Sequence, residues 1–568
     1  MILNVLSRIF IYIFLTLILF SCKTPPQPPQ ETEIPVVQQP PAVQQSSGLA
    51  DEIRSLTETG ILSSMLRAVD LIRSRDLGGS EFGRTMSGIN TILIRLIYPD
   101  SPARLPTVDL PQTSNYARII REAERGNYIR PSSSSTDFFE HILPFLAISG
   151  HNDVEIWSNV IRDLNRAGEL RPNSILPPYF RGITHELAGQ HNDAINAYSQ
   201  AYAISNECYP AQIRIASLRR ISGNAAEAVS ILSELIIRFP DSMEIKRELA
   251  LAYYSNNDWS RALPAIDEIL RSDPRDGEFL LMRAAILIEQ GHYSQANVSL
   301  DNYAAINQTN RNYLFMRARI QAEGNRNRDS ALNYLRSIMR ANPNDTEAMI
   351  FAVTLLMESQ RPADHSEGRQ ILERLRQIAG SSMEVLNLSL RDAVRRESWQ
   401  EAQVFLNQIL SARRTVQDLI DAYHIEKGLG NNTRAYNFAS ELYERDPSNN
   451  EYAIIYISAL IDTGRRAEAL RLIESRLNTV TNASVKSRFF YLRSRLQTNT
   501  DDELSDLRSS LFEDPRNLDA IIAMFEIYHN RREERRAVSY LRQALAIAPD
   551  HPLLRQYERE YASLLGRN

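Results

Sequence analysis

Between Gly189 and Pro549 small and apolar positions return at a nearly constant interval. Eleven anchors mark it: Ala194, Ala228, Ala262, Ala296, Ala331, Gly368, Ala402, Ala435, Ala469, Glu503 and Ala537. Seven of the ten spacings are 34 residues, and the others are 35, 37 and 33. Four residues after each anchor stands an apolar side chain, from Tyr198 and Leu232 to Leu507 and Leu541. Glycine precedes five anchors by five residues (Gly189, Gly223, Gly291, Gly430, Gly464), and proline follows six by twelve, from Pro240 to Pro549. Each recurrence predicts a local structure. A small anchor lets two antiparallel helices cross closely, and an apolar residue one turn later continues the buried face. Glycine supplies the left-handed conformation that closes a first helix, and proline ends the second.

Outside this stretch the apolar spacing is helical but out of register. Ile61, Leu62, Met65, Leu66, Val69 and Ile72 share one face of a predicted helix. Phe82, Met86, Ile89, Leu93 and Leu96 share another. Prolines at 99, 102, 106 and 111 and a serine run at 132–135 interrupt the chain beyond these two helices. Asp137 to Gly168 reads as one degenerate unit, and Leu553, Leu554, Tyr557, Tyr561, Leu564 and Leu565 as one stripe on a final helix. Such a helix hides the open face of the last unit from water.

The period and pattern resemble the tetratricopeptide repeat, a 34-residue helix–turn–helix unit, over roughly 375 residues. Gly368 and Glu503 stand where the other nine anchors are alanine and weaken two units. The resemblance implies an all-α, right-handed α-solenoid of eleven to twelve units, spanning 136–550. A helical lead-in (49–130) precedes it and a capping helix (551–568) closes it. In this family the first helix of each unit lines a groove that takes up peptides. On that register the groove carries Leu281 and Met282, then Phe315 and Met316, then Met349 and Ile350, with Val353 and Met357 extending the stripe. Methionine suits a surface that must adapt to a partner. The family's clamp for a C-terminal carboxylate needs Lys, Asn and Arg, but Tyr179, Ile183 and Arg214 stand at those places, so tail capture is not expected.

The N-terminus sets the expected compartment. Ile9 to Phe20 forms a twelve-residue apolar core behind Arg8, shorter than the ~20 residues of a bilayer span and suited to a signal peptide (1–21). Leu19-Phe20-Ser21-Cys22 resembles the lipobox of bacterial lipoproteins, which implies a diacylglycerol thioether on Cys22. Phe20 departs from the small or aliphatic residue usual at that place. Residues 22–48 are rich in Pro and Gln and read as a disordered tether. At ~3.1 Å per residue, such a tether reaches about 80 Å. Lys23 gives no signal for inner-membrane retention, so attachment to the outer membrane, facing the periplasm, is expected.

Composition narrows the chemistry. A net charge of −5 argues against a nucleic-acid binder, which needs a clustered positive face. Two cysteines exclude a disulfide-stapled or Cys-rich zinc fold. His185-Glu186 is followed by His191, six residues on, where a zinc-hydrolase helix needs histidines four apart. His-Asn-Asp at 151–153 and 191–193 falls in turns, where Asn and Asp cap the next helix. Gly428-x-Gly430 lacks the third glycine of a dinucleotide loop, and no phosphate-binding lysine loop or nucleophile elbow is present. Cys208 reads as a small residue in a seam between repeats. No enzyme, metal site or cofactor is expected. The expected role is a lipid-anchored scaffold that binds cell-envelope proteins. The alternatives are a surface-exposed adhesin and a regulatory or ligand-binding lipoprotein acting on a cell-wall enzyme.

Overall fold

The repeat pattern becomes helix pairs. In a computed structural model that describes residues 43–148 and 154–566, with side chains from residue 48, thirty α-helices and no strand occur among the described residues. The architecture is an all-α, tetratricopeptide-like solenoid. The expected signal peptide, Cys22, most of the tether and the His-Asn-Asp triplet at 151–153 lie outside the described residues. Among the described residues no helix is long and apolar enough to cross a membrane.

The nine anchor alanines are at most 3% exposed, and the apolar residues four places on are at most 1% exposed. Ten of the eleven second helices begin three residues before their anchor, as in Trp259–Ser272 and Trp399–Ala412. The first helices are the more enclosed. Thr346–Met357 buries seven of its 12 residues, whereas Trp259–Ser272 buries three of 14. Exposed Ile237, Val298, Val404 and Phe512 all stand on second helices. Glu503 is half-buried, and in its helix Leu504 and Leu507 carry the buried face instead.

The turn between the two helices has one geometry in nine units. Five residues before the anchor, Gly189, Gly223, Gly291, Gly430 and Gly464 adopt φ between 72° and 90°. In four more units the same place is held left-handed by Asn257, Arg326, Glu397 and Arg532, at φ 51–58°. Fold register, not glycine, therefore sets this turn.

Each irregular spacing has a local cause. The 35-residue step absorbs its extra residue in a π-turn at Ile320–Gly324, where Asn325 N–H donates to the Ile320 carbonyl five residues back. In the 37-residue step the second helix Pro362–Ala379 begins six residues before its anchor, with proline in its first turn. The 33-residue step has a three-residue loop after Ala412, closed by a capping box between Thr415 and Asp418.

The chain divides into two compact units, the first ending at Met316 and the second starting at Arg317. The first unit opens with the helix Val43–Glu58, which starts inside the stretch expected to be extended. Pro41 is the last proline before it. Leu62–Ser74 and Glu81–Ile97 bury Met65, Val69, Ile72, Met86, Ile89 and Leu93. This lead-in is tied to the first repeats by polar and aromatic contacts. Ile175 N–H donates to the Thr59 carbonyl at 3.0 Å, while within the lead-in the Tyr98 hydroxyl donates to the Gly60 carbonyl at 3.3 Å. The Tyr98 ring lies 5.7 Å from that of Tyr209. The second unit ends in helices Pro552–Glu560 and Ala562–Leu565, with Leu554 and Tyr561 buried against Phe525 and Leu541.

Candidate protein-binding surface

Helix caps give the register of the first helices. Cys208, Ser242, Asp276, Asn310 and Asp345 each stand just before one. Six residues beyond the first four of these lie Arg214, Glu248, Met282 and Met316, spaced 34 apart and all half-buried in the first unit. One repeat position thus forms a ladder that changes from charged to apolar along the chain.

Leu281 and Phe315, five residues after their caps, are half-buried as well. Met282 packs at the margin of the cluster that contains Phe279 and Ile286, and the Arg311 guanidinium lies 4.8 Å over the Phe315 ring. These four side chains share the partial exposure that a contact surface needs. The rest of the expected stripe divides. Ile350 is half-buried, but Met349 is 0% and Met357 7% exposed, and both pack with Val353, Leu372, Leu375, Val385 and Leu388. Met349, Val353 and Met357 are core residues of the second unit, not groove lining. The cause is the inserted residue. Counting 34 from Phe315 crosses the 35-residue step and lands one place early on Met349. Counted from the Asp345 cap, the equivalents of Phe315 and Met316 are Ile350 and the half-buried Phe351. Met357 turns inward because Gly368 leaves space, its Cε being 3.2 Å from where a Cβ at 368 would stand.

The charged end of the ladder is a network that residue spacing alone did not assemble. Glu186 accepts from Arg214 at 3.3 Å and from the Tyr198 hydroxyl at 2.8 Å, and Arg220 pairs with Glu248 at 3.3 Å. The four charged side chains keep only 12–22% exposure, and Tyr198 is fully buried beneath them. The Glu186 carboxylate holds Arg214 well above its ordinary value, outweighing burial. Burial pushes the Glu244 carboxyl up to about 7, with Arg214 opposing and the Asp100 and Glu248 charges adding to the rise. Burial also raises Glu248. The signal was available, since Arg214 and Glu248 stand 68 and 34 residues before Met282.

The remaining candidates resolve into packing. His185 hydrogen-bonds Gln190 at 2.7 Å, and His191 opens the helix His191–Ile204. Cys208 is buried, and burial pushes its thiol up to about 12. Among the described residues no group of three or more His, Cys, Asp or Glu side chains converges as metal ligands would. An open recess of about 480 Å3 runs between the turns at Gly223–Glu227 and Ser255–Asn257, shallow and polar rather than shaped for a small molecule.

The tetratricopeptide-repeat family model matches residues 219–286, which hold the helices from Ala225–Arg238 to Gly277–Glu289. Among solved structures, PilW, a widely conserved type IV pilus biogenesis factor, is 19% identical over 37% of this chain and 95% of its own, with a TM-score of 0.33. PilF of Pseudomonas aeruginosa is 18% identical over 38% of this chain and 96% of its own, with a TM-score of 0.33. Yeast Tom70 is 11% identical over 79% of this chain and 95% of its own, with a TM-score of 0.31. The anchors, turns and helix pairs above make the described chain a tetratricopeptide-like helical solenoid, a scaffold that points to protein–protein interaction, and the family match over 219–286 agrees with them.

Proposed function

We propose that this chain is a lipid-anchored protein of the bacterial cell envelope that uses its first helices to hold a partner protein and so assembles an envelope complex. The observation that carries the binding role is the ladder Arg214, Glu248, Met282 and Met316, one position per repeat, neither buried as core nor solvated as an outer face. A partner segment laid along it meets charge at one end and adaptable apolar surface at the other. Cys22 behind its lipobox supplies the anchor in this reading, and residues 23–42, ahead of the helix Val43–Glu58, supply the reach. Attachment is to the outer membrane, facing the periplasm.

The test is a photo-crosslinking residue at Met316 in the full-length chain, irradiated in intact cells. The expected result is one specific envelope protein, lost when Met282 and Phe315 are changed to Glu in a variant that keeps its helical circular dichroism. No crosslink at Met316 or Met282 overturns the binding role. Protease added to intact cells tests the facing: an unshaved chain is expected, and a shaved one means a surface-exposed protein. A Cys22→Ser chain is expected in the soluble periplasmic fraction.

A further inference from the structure

The proline-broken segment after the helix Glu81–Ile97 is a strap, held at two places. Its distal part lies back on that helix, with Leu110 2.7 Å from where a Cβ on Gly88 would stand and Asp109 3.6 Å from Arg84. Its proximal part reaches forward to the repeats. The Asp100 carboxylate accepts from the Ser242 hydroxyl at 3.0 Å and from the Glu244 backbone N–H at 2.6 Å, at the N-terminus of the helix Met243–Ser255. A side chain 142 residues away in sequence thus serves the first turn of that repeat.

The side chain of Glu244 makes this tie conditional. It faces Asp100 from the strap, Glu248 one turn along its own helix, Arg214 from the first helix of the preceding repeat, and the Tyr179 and Tyr209 hydroxyls. Arg214 is the only cation among these groups, and it is already bound to Glu186. Glu248 has its own partner in Arg220, whereas Asp100 is held by the Ser242 hydroxyl and the Glu244 N–H, so an ionised Glu244 sets a second carboxylate against Asp100 with only the Glu186-bound Arg214 opposing. A protonated Glu244 leaves the Asp100 bonds undisturbed.

We propose that Asp100 is a latch closing the strap on the third repeat while Glu244 is protonated, and that ionisation of Glu244 releases it. The sign comes from the environment. Burial and the neighbouring carboxylates hold Glu244 at about 7 in the latched state, above its ordinary value of 4.5. The latched state therefore binds the proton more tightly than the released one, and latching is lost as pH rises through that value. If release lowers the value by one unit, the opening constant grows about fivefold between pH 6 and pH 8.

The exposed Arg104 lies in the strap between Pro102 and Pro106, so tryptic cleavage after Arg104 reads its opening. Wild type and Glu244→Gln, as full-length chains, are digested briefly at pH 6 and at pH 8. The ratio of their cleavage rates cancels the protease's own pH profile. The ratio of wild type to variant is expected to rise about fivefold from pH 6 to pH 8 at Arg104, while cuts elsewhere before Met316 keep a constant ratio. Asp100→Ala is expected to be cut faster than wild type at pH 6. A constant ratio at Arg104 overturns the latch, as does an equal rise at every site, which means general loosening. Asp100→Ala cut no faster than wild type at pH 6 also overturns it.

Discussion

Gly182 and Tyr198 are fitted to each other across the first tetratricopeptide-like pair: a Cβ at 182 would stand 2.5 Å from Tyr198 Cε1. They lie twelve residues before and four after the anchor Ala194. In the next three units these places hold Ala216 and Leu232, Ala250 and Ile266, and Ala284 and Leu300. The unit anchored at Ala435 reverses the sizes, with Tyr423 opposite Ala439 in one core cluster. Gly182→Ala is expected to destabilise the first unit by about 1–3 kcal/mol through overpacking. Adding Tyr198→Leu should make the double variant less destabilised than the sum of the two single changes. Urea unfolding of the four chains measures this coupling, and strict additivity would falsify the fit.

The left-handed turn residues make an independent prediction. Glu397 has φ 54°, a conformation that costs a side-chain-bearing residue roughly 1 kcal/mol and glycine almost nothing. Glu397→Gly should raise stability by about 1 kcal/mol, and Gly291→Ala, at φ 73°, should lower it by a similar amount. Thermal unfolding followed by helical circular dichroism distinguishes the two directions.

Met349 and Met316 should part company on truncation. Met349→Ala opens a cavity among Leu372, Leu375 and Val385 and is expected to cost about 2–5 kcal/mol. Met316→Ala removes a half-buried side chain and should cost well under half of that, leaving the unfolding midpoint nearly in place. Equal losses in denaturant titrations would place Met316 in the core too.

Acid should loosen the tie between the lead-in and Asp137. Asp137 accepts hydrogen bonds from Arg54 at 2.7 Å and from the Tyr116 hydroxyl, and it caps the helix Phe138–Ile142. Burial pushes its carboxyl up, but the Tyr116 hydroxyl and Arg54 guanidinium outweigh this and hold it below its ordinary value. A depressed acid stabilises the fold above its unfolded value of 3.8 and loses that contribution as pH falls through the folded one. Wild type should therefore lose its advantage over Asp137→Asn as pH falls below the unfolded value of 3.8, a loss read as convergence of their melting temperatures.

The fold was legible because the repeat writes the same physics eleven times. Alanine at a close helix crossing and leucine one turn later are each ambiguous alone, but at a fixed period they specify a helix pair. The left-handed turns at Arg326, Glu397 and Arg532 were not legible, because those residue types do not announce a positive φ, whereas Asn257 is of a type that tolerates it. The candidate surface was legible only as far as its register held. Leu281, Met282, Phe315 and Met316 are half-buried, whereas Met349 was misplaced by one inserted residue upstream. The charged end at Arg214 and Glu248 was in the same ladder and was missed because a change from charge to apolar does not look like one surface in sequence.

The wide turn at Ile320–Gly324 has a consequence for how such a chain accumulates change. One residue inserted into an ordinary helix swings every later side chain by about 100° about the axis, which turns a buried face toward water. Here the surplus is swallowed within a single turn, and Ala331 and Leu335 immediately beyond it are again at 0% exposure. An array of this kind corrects a slip of the frame where it occurs, so insertions leave local scars instead of propagating as errors.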